Sequence, residues 1–299
     1  MIDLSVVIGT FNQADALERT LRSYARQTCP MDRFEIVVVD SESADATAVV
    51  CAPAKYPFAL RYVRRRNEGK SAARNTGVAA ATGDLVLLTD ADVTADASLV
   101  ECHLDAQRDC PGAVVVGQQF MVESPEAGQA GGRPCLNPSW RRGRRLSWRQ
   151  FVTGNASLER QRLTGSGGFD EQFRGYGYED YELGYRLAQG GAAFVFEPGA
   201  INFHHHPVTF EQDLVRKEEA GRAAVHFAER HPSVRLRIHL GLTPLNRALF
   251  GRLLPGRLGG ALRHWSARDS ALGRLAKHLL LECAFHRGVL GATNGRNGK

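Results

Sequence analysis

The first 90 residues alternate between short apolar runs and segments whose apolar residues recur at helical spacing. The runs cover residues 4–8, 34–39, 59–63 and 84–89, and the helical segments cover 14–27, 43–50 and 71–81. The runs are mostly β-branched or aliphatic, which predicts strands buried on both faces. Strands that alternate with helices in this order predict an α/β fold with a mostly parallel, right-handed wound sheet flanked by helices.

The remaining chain predicts a less regular series of elements. We expect a helix at 97–108, a strand at 113–122, a loop at 123–145, a strand at 151–156, a turn at 165–168, a helix at 178–189, extended segments at 193–196 and 201–206, and a helix at 209–230. The loop exceeds the usual length of a connection, so it is either functional or disordered. Two or three basic helices should follow over 245–290, broken at Pro255 and at Gly259 and Gly260.

Composition excludes a disordered or fibrous protein, because 43% of the 299 residues are hydrophobic and only 23% are charged. The formal net charge of +6 is concentrated at one end, since residues 245–299 hold 10 Lys and Arg against 2 acids. We therefore predict a domain at 1–215. A basic helical extension at 216–299 completes this division.

The leucines of the extension recur at helical spacing and alternate with basic residues. The apolar set is Leu245, Leu249, Leu253, Leu254, Leu258, Leu262, Trp265, Leu272, Leu275, Leu279 and Leu280, and the basic set is Arg247, Arg252, Arg257, Arg263, Arg274 and Lys277. This composition is typical of helices that lie in an anionic membrane interface. The alternatives are that the leucines dock on the catalytic domain or form a dimer contact. A nucleic-acid partner is not expected, because aromatic residues are not interleaved with the charges.

The six cysteines show neither a CxxC pair nor the spacing of a disulfide framework, which indicates reduced thiols. The N-terminus does not have the pattern of a signal peptide, and no apolar stretch approaches the roughly 20 residues of a membrane span. We therefore expect a cytoplasmic protein, with a peripheral position at the inner face of the membrane as an option.

Two carboxylates, Asp90 and Asp92, follow the apolar run in the segment LVLLTDADV. An Asp-x-Asp pair at a strand end can hold Mg²⁺ or Mn²⁺, which accept carboxylate oxygens and take further ligands from phosphates and water. A solvated turn is the alternative. In a wound sheet, however, ligands lie outside the carboxyl ends of the strands, which favours the metal interpretation.

A second acidic pair, Glu179 and Asp180, lies at the start of a predicted helix in GYGYEDYELGYRL. Acids at a helix N-terminus are stabilised by the helix dipole, so a purely structural role is possible. Aromatic and glycine residues on both sides of the pair instead suggest a carboxylate in a partly apolar cleft, as a general base requires.

Basic and imidazole groups supply two further candidates. Lys70 and Arg74 lie one helical turn apart after a glycine-bearing turn, where they could contact a diphosphate or face water. Three histidines, 204–206, follow an extended segment, and residues on an extended chain point alternately to opposite faces. At most two of them can therefore share a face with a metal, and an imidazole ligand suits Mn²⁺ better than Mg²⁺.

Taken in order, these motifs resemble the family 2 glycosyltransferases with the GT-A (Rossmann-like) fold. The matching segments are SVVIGTFNQ, VVVDSESADAT, NEGKSAARNTG, GDLVLLTDADV, TGNASLER, GGFDEQFRGYGYEDYELGYRL and HHH, which together cover about residues 3–210. The later part is similar to the C-terminal module of β-1,4-galactosyltransferases and chondroitin-polymerase-like enzymes. The resemblance implies inverting transfer of a sugar from a nucleotide diphosphate donor, usually UDP, with Mn²⁺ or Mg²⁺.

The resemblance also implies a nucleotide-binding half at 1–95, an acceptor and catalytic half at 96–215, and roles for individual residues. They are donor binding for Thr10, Asn12, Asp40, Arg74 and Asp90, metal binding for Asp92 and for a histidine of the run, with His204 and His206 as candidates, catalysis for Asp180 as base beside Glu179, and acceptor contact for Gly154, Asn155 and Tyr178. Ser41 and Glu42 depart from the family pattern, in which an acid and a glycine follow Asp40. The acceptor could be a glycan, a lipid-linked molecule or a small molecule.

Two other functions fit less well. A hydrolase with two carboxylates astride a glycosidic bond would leave the Asp-x-Asp pair and the basic helix start without a role. A non-catalytic protein that binds a sugar nucleotide or a glycan would keep the fold, but the base and metal residues are all present. Release of UDP in the presence of an acceptor distinguishes this alternative from an enzyme.

Overall fold

The computed structural model describes residues 2–124 and 132–294, so part of the predicted loop at 123–145 lies outside the described residues. The chain divides into two compact units. The first comprises Met1–Arg174 and Asp180–Pro207, and the second comprises Gly175–Glu179 and Val208–Lys299. The domain boundary predicted at residue 215 falls inside the first long helix of the second unit, Phe210–Arg230.

The first unit contains one ten-stranded sheet. Its strands are β1 (Leu4–Thr10), β2 (Phe34–Asp40), β3 (Ala59–Arg64), β4 (Leu85–Asp90), β5 (Val93–Ala95), β6 (Val114–Met121), β7 (Arg133–Pro134), β8 (Arg145–Leu146), β9 (Ala156–Glu159) and β10 (Phe194–His204). The order is β3-β2-β1-β4-β9-β6-β10-β5, with β7 beside β6 and β8 beside β10. The predicted mostly parallel sheet is confirmed by the parallel pairs β1–β2, β2–β3, β1–β4 and β6–β10.

Helices follow most strands of the first unit and make up most of the second. They are α1 (Ala14–Tyr24), α2 (Thr47–Val50), α3 (Lys70–Ala80), α4 (Leu99–Asp109), α5 (Arg160–Gly165), α6 (Glu179–Gln189), α7 (Phe210–Arg230), α8 (Val234–His239), α9 (Pro244–Ala248), α10 (Leu254–Ser266) and α11 (Ala271–Asn294). Short 3₁₀ turns occur at Pro53–Lys55 and Trp148–Gln150, and a π-helical turn at Leu249–Leu253.

Alternate side chains of the central strand β1 enter two different cores. Leu4, Val6 and Ile8 contribute to the core that also contains Leu17 and Leu21 of α1. Val7 points to the opposite face and packs with Ala73 and Val78 of α3. Since strand residues alternate between faces, this arrangement requires helices on both sides of the sheet.

The strand predicted at 151–156 is misplaced. The chain forms a 3₁₀ turn over Trp148–Gln150, and the strand is Ala156–Glu159, which runs antiparallel to both β4 and β6. Phe151 is fully buried although it is not in a strand. Burial of an aromatic residue in a loop produces the same apolar signal as a strand, which explains the error.

The two extended segments predicted at 193–196 and 201–206 form one strand, β10, which contains an irregularity between Glu197 and Ile201. The strand pairs with β6 on both sides of this irregularity. Its last three residues also pair antiparallel with β5, with His204 opposite Val93. Beyond this irregularity, the register places His204 opposite Met121 of β6.

The predicted helix breaks at Pro255, Gly259 and Gly260 are wrong. Helix α10 follows directly on the π-helical turn Leu249–Leu253, continues through Pro255 and contains both glycines. The chain instead breaks at residues 267–270, between α10 and α11. In the described part of the chain, no helix combines the length and hydropathy needed to cross a bilayer.

One close contact on the sheet leads to a stability prediction. A Cβ atom on Gly77 of α3 would lie 2.4 Å from Cγ1 of Val7 and 3.2 Å from Cγ2 of Val39. We expect Gly77→Ala to destabilise the first unit, because overpacking costs about 1–3 kcal/mol, whereas the helix propensity of Ala returns at most about 1 kcal/mol. Urea unfolding followed by circular dichroism measures the change.

The matched control is Gly165→Ala, because a Cβ there meets no atom within 4 Å. This variant should unfold at or slightly above the urea concentration of the unmodified chain. An unchanged or raised midpoint for Gly77→Ala would contradict the close packing of α3 on β1.

Candidate active site

The end of strand β4 carries an ion pair between Asp90 and Arg74. Nη2 of Arg74 lies 2.9 Å from Oδ1 of Asp90, and only 5% of the arginine side chain is exposed. Burial alone would raise the pKa of Asp90, but Arg74 and, more weakly, Lys70 hold it below its usual value. The predicted donor residues Arg74 and Asp90 are therefore together, with the carboxyl group ionised.

Asp92 lies between two histidines of the 204–206 run. Its Oδ2 atom is 2.7 Å from Nδ1 of His206, and its Oδ1 atom is 3.3 Å from Nε2 of His204. Burial by itself raises the pKa of Asp92, yet the hydrogen bonds with both imidazoles outweigh it and hold the pKa well below the usual range. Asp92 is therefore a carboxylate in this site.

Strand alternation explains which histidines reach Asp92. The backbone N–H of His205 donates to the carbonyl oxygen of Asp92 at 3.1 Å, which fixes the end of β10 against the loop after β4. The His205 side chain points the other way, with Nε2 2.9 Å from the carbonyl oxygen of Glu123. His204 and His206 thus share one face, as the sequence predicts for alternate residues.

These three side chains meet the requirements of a divalent metal site. One ligand atom from each of Asp92, His204 and His206 lies within 4.8 Å of the other two. A carboxylate oxygen with two imidazole nitrogens is a donor set that suits Mn²⁺ better than Mg²⁺. The residues present therefore fit the predicted cofactor.

The loops after β1 and β2 are joined by hydrogen bonds that involve the predicted donor residues. The N–H of Asn12 donates to Oγ of Ser43 at 2.8 Å, and Oδ1 of Asn12 accepts from the N–H of Ala44 at 2.8 Å. The N–H of Ser41 donates to the carbonyl oxygen of Thr10 at 3.0 Å. Asn12 has a φ of 52° and Glu42 a φ of 60°, both in the left-handed region that non-glycine residues rarely adopt.

Asp40 is buried and both of its carboxylate oxygens accept hydrogen bonds. The N–H of Ser43 donates to Oδ1 at 2.9 Å, and the hydroxyl of Tyr62 donates to Oδ2 at 2.5 Å. The pKa of Tyr62 is raised, mainly by burial and secondly by the hydrogen bond to Asp40, so this phenol stays protonated. Sequence reasoning missed Tyr62, because an aromatic residue inside a strand is ordinarily a core residue.

Thr10, at the end of β1, has a buried hydroxyl. Its Oγ1 atom is without a hydrogen-bond partner among the described residues. Since an unpaired buried hydroxyl is costly, a ligand group that pairs with it would recover free energy. This supports the donor-binding role predicted for Thr10.

Asn155 is an interior residue, so acceptor contact through its side chain is not supported. Its amide group donates to the carbonyl oxygens of Ala200 at 2.9 Å and Gln118 at 3.3 Å, and its Oδ1 atom lies 2.8 Å from Nε2 of His103. Burial lowers the pKa of His103 to about 4, so the imidazole in this network is neutral. The network joins α4, β9 and β10 behind the site.

Gly154 is also buried, and its carbonyl oxygen accepts hydrogen bonds from the interior. Nδ2 of Asn202 donates to it at 2.7 Å and Oγ1 of Thr89 at 3.2 Å. A Cβ atom at Gly154 would lie 2.7 Å from Nε2 of Gln119. These contacts give the glycine a packing role, and its predicted contact with an acceptor stays a prediction.

Asp180 occupies the first turn of α6 and is half-buried. The helix is anchored by Arg186, which pairs with the buried Glu182 at 2.8 Å and donates to the carbonyl oxygen of Gly168 at 2.6 Å. The Trp148 ring meets the Tyr185 ring edge-on, with centroids 5.4 Å apart. The proposed base therefore lies on a fixed helix, at the end that favours a carboxylate.

Tyr178 and Glu179 belong to the second unit, unlike the other predicted site residues. The Tyr178 ring packs against Phe227 and Phe285, with centroids 6.4 Å away in each case, and its φ is 68°. Glu179 is buried. Their assignments to acceptor contact and catalysis stay predictions.

Two family models match the chain. The model described as glycosyl transferase family 2 matches residues 5–159, slightly more than half of the sequence. The model described as the N-terminal domain of galactosyltransferase matches residues 139–207. The matched regions together contain every residue of the candidate site.

Curated relatives include glycosyltransferases of different kinds. The chain is 31% identical to validoxylamine A glucosyltransferase of Streptomyces hygroscopicus subsp. jinggangensis, over 85% of this chain and 67% of the relative. It is 29% identical to hyaluronan synthase of Pasteurella multocida, over 74% of this chain and 26% of the relative. The chain spans 65% of the glycosyltransferase YfnE of Bacillus subtilis, with 28% identity over 68% of this chain.

Solved structures share the fold at low sequence identity. A crystal structure of TarS from S. aureus has a TM-score of 0.64 at 16% identity, over 96% of this chain and 55% of that chain. The mannosyltransferase PcManGT from Pyrobaculum calidifontis, in complex with GDP-Man and Mn²⁺, has a TM-score of 0.66 at 19% identity, over 96% of this chain and 86% of that chain. Family models, relatives and fold agree with the resemblance seen in the motifs: the chain belongs to glycosyl transferase family 2 and has the GT-A fold.

Proposed function

We propose that this chain transfers a sugar from a nucleotide diphosphate donor, a UDP-sugar, to an acceptor hydroxyl, with inversion at the anomeric carbon and with Mn²⁺ or Mg²⁺. The observation that carries the proposal is the position of Asp92 between His204 and His206, two residues after the Asp90–Arg74 ion pair. A bound divalent cation would neutralise charge on the departing diphosphate. The donor residues Thr10, Asn12, Asp40, Arg74 and Asp90 all fall in the predicted nucleotide-binding half, 1–95.

The reaction assigned to the chain's own residues is a single displacement. Asp180 accepts the proton of the acceptor hydroxyl as its oxygen attacks the anomeric carbon, and the bond from that carbon to the diphosphate oxygen breaks. Attack opposite the leaving group inverts the configuration. Arg74, already beside Asp90, supplies a fixed positive charge near the diphosphate without a rearrangement of charged groups.

The names of the relatives point to two classes of acceptor. The relative with 31% identity is named for a small-molecule acceptor, validoxylamine A, whereas hyaluronan and chondroitin synthases are named for polysaccharides. We favour a small molecule or a short glycan, because the relative matched over 85% of this chain is the glucosyltransferase.

A thermal-shift panel tests the proposed donor. UDP-sugars and GDP-sugars are each added with and without Mn²⁺, since a ligand that binds only the folded state raises the melting temperature. The expected result is a Mn²⁺-dependent shift with a UDP-sugar. Equal shifts with UDP- and GDP-sugars would contradict the proposed donor.

Metal-dependent donor binding should depend on one face of the histidine run. We expect Asp92→Ala to abolish, and His204→Ala and His206→Ala to weaken by tenfold or more, the affinity for UDP in Mn²⁺, in the range of ligand losses at metal sites. His205→Ala is the control, because its side chain points to Glu123. Isothermal titration calorimetry measures the affinity, and equal small effects at all three histidines would contradict the site.

Turnover should depend on the Asp180 carboxylate. Asp180→Asn is expected to retain donor binding but to lower kcat by about 10² or more, the contribution of a positioned base. Asp15→Asn is the matched control, because Asp15 is an exposed acid in the first turn of α1. UDP release under saturating donor and acceptor gives kcat, and near-normal turnover of Asp180→Asn would remove this residue from the mechanism.

Tyr62 should affect donor binding through Asp40. Tyr62→Phe removes the hydroxyl that donates to Asp40, and we expect KM for the donor to rise about tenfold with kcat little changed, since a hydrogen bond to a charged group contributes about 1.5–3 kcal/mol. Tyr56→Phe is the control, because that hydroxyl donates to the carbonyl oxygen of Val50. A similar loss in both variants would indicate a general effect on stability.

A further inference from the structure

The second unit ends in a pair of helices, α10 and α11, joined by residues 267–270. We call this pair the C-terminal hairpin. Its inner side is covered within the unit: Leu262, Ala276 and Leu280 are buried, and Phe210 and Leu214 of α7 pack against them. Part of the apolar surface predicted from the sequence is therefore covered by α7 of the same unit.

Three other leucines of the C-terminal hairpin face outwards. Leu258 and Leu272 are each 46% exposed, and Leu275 is 52% exposed. Leu272 and Leu275 are three positions apart in α11, so they lie on the same side of that helix. Packing within the unit therefore leaves large aliphatic side chains in contact with solvent on both helices.

Exposed basic side chains accompany these leucines. Arg263, Arg274 and Lys277 are all exposed. The hairpin as a whole has six Lys and Arg against two acids, Asp269 and Glu282. The interface of an anionic phospholipid bilayer complements this surface. Leucines can enter the boundary between headgroups and acyl chains, while arginines and lysines pair with headgroup phosphates.

An exposed aliphatic residue of α7, in the same unit, has surroundings of the opposite charge. Val215 of α7 is 61% exposed. The surrounding residues 211–219 hold four acids, at positions 211, 213, 218 and 219, against two basic residues at 216 and 217, and this net charge of −2 opposes binding to an anionic membrane. In the C-terminal hairpin, by contrast, exposed aliphatic side chains and positive charge occur together.

We propose that the C-terminal hairpin is a docking surface for an anionic phospholipid bilayer, with Leu258, Leu272 and Leu275 entering the interface and Arg263, Arg274 and Lys277 binding headgroup phosphates. This places the protein peripherally on a membrane. The proposal concerns the second unit alone and is independent of the donor assigned to the first.

Cosedimentation of the full chain with vesicles tests the proposal. One set of vesicles contains phosphatidylcholine only, and the other contains phosphatidylcholine with phosphatidylglycerol. We expect binding to the anionic vesicles at low salt, release at high salt, and little binding to phosphatidylcholine alone. A full chain that stays in the supernatant with anionic vesicles at low salt overturns the proposal.

Two double variants separate the apolar and charged contributions. Leu272→Ser with Leu275→Ser should weaken vesicle binding about tenfold or more, because both side chains lose the apolar area that enters the interface. Arg263→Gln with Lys277→Gln should weaken it about fivefold for each charge removed. The control Val215→Ser should bind as the unmodified chain does.

Circular dichroism and UDP affinity should be unchanged in every variant, which excludes unfolding as the cause of lost binding. Light scattering at several protein concentrations tests the alternative occupant of this surface, a second copy of the chain. If the leucine variants alter the oligomeric state and leave vesicle binding unchanged, the hairpin is a protein contact and the proposal is wrong.

Discussion

Carboxylates that are held at the end of a buried strand need compensating groups, and this constraint organises the first unit. Asp90 is compensated by Arg74 from α3, and Asp92 by two imidazoles from β10. The two imidazoles that compensate Asp92 lie more than 100 residues away from it in the sequence. The order of the strands, with β10 running beside both β6 and the short β5, is what lets these distant residues meet.

The first 95 residues were largely predictable because their signals are local. Strands β1 to β4 are short, mostly apolar runs, and polar residues follow β1, β2 and β4 at their carboxyl ends, where a wound sheet binds ligands. The alternation of His204 and His206 is equally local. Thr10, Asn12, Asp40, Asp90 and Asp92 are therefore predicted at one edge of the sheet, whereas the role of Arg74 comes from the family resemblance.

The second half was harder to predict because its determinants are long-range contacts. Strand β9 inserts antiparallel between β4 and β6, and nothing in its four residues encodes those neighbours. The family resemblance implies an acceptor contact for Asn155, but its side chain hydrogen-bonds with His103 in a buried network. Tyr62 shows the opposite case, since its strand position suggested core packing and its hydroxyl contacts Asp40.

The outermost position of β3 bears on self-association. As the first strand of the sheet order, β3 has one side without a neighbouring strand among residues 2–124 and 132–294, and such an edge can pair with the edge of another molecule. Arg61 and Arg64 are exposed on this strand, and charged side chains on an edge oppose that pairing. The strand that directs Tyr62 towards Asp40 therefore also protects the chain from edge-to-edge aggregation, so changes in its arginines would affect solubility before they affected chemistry.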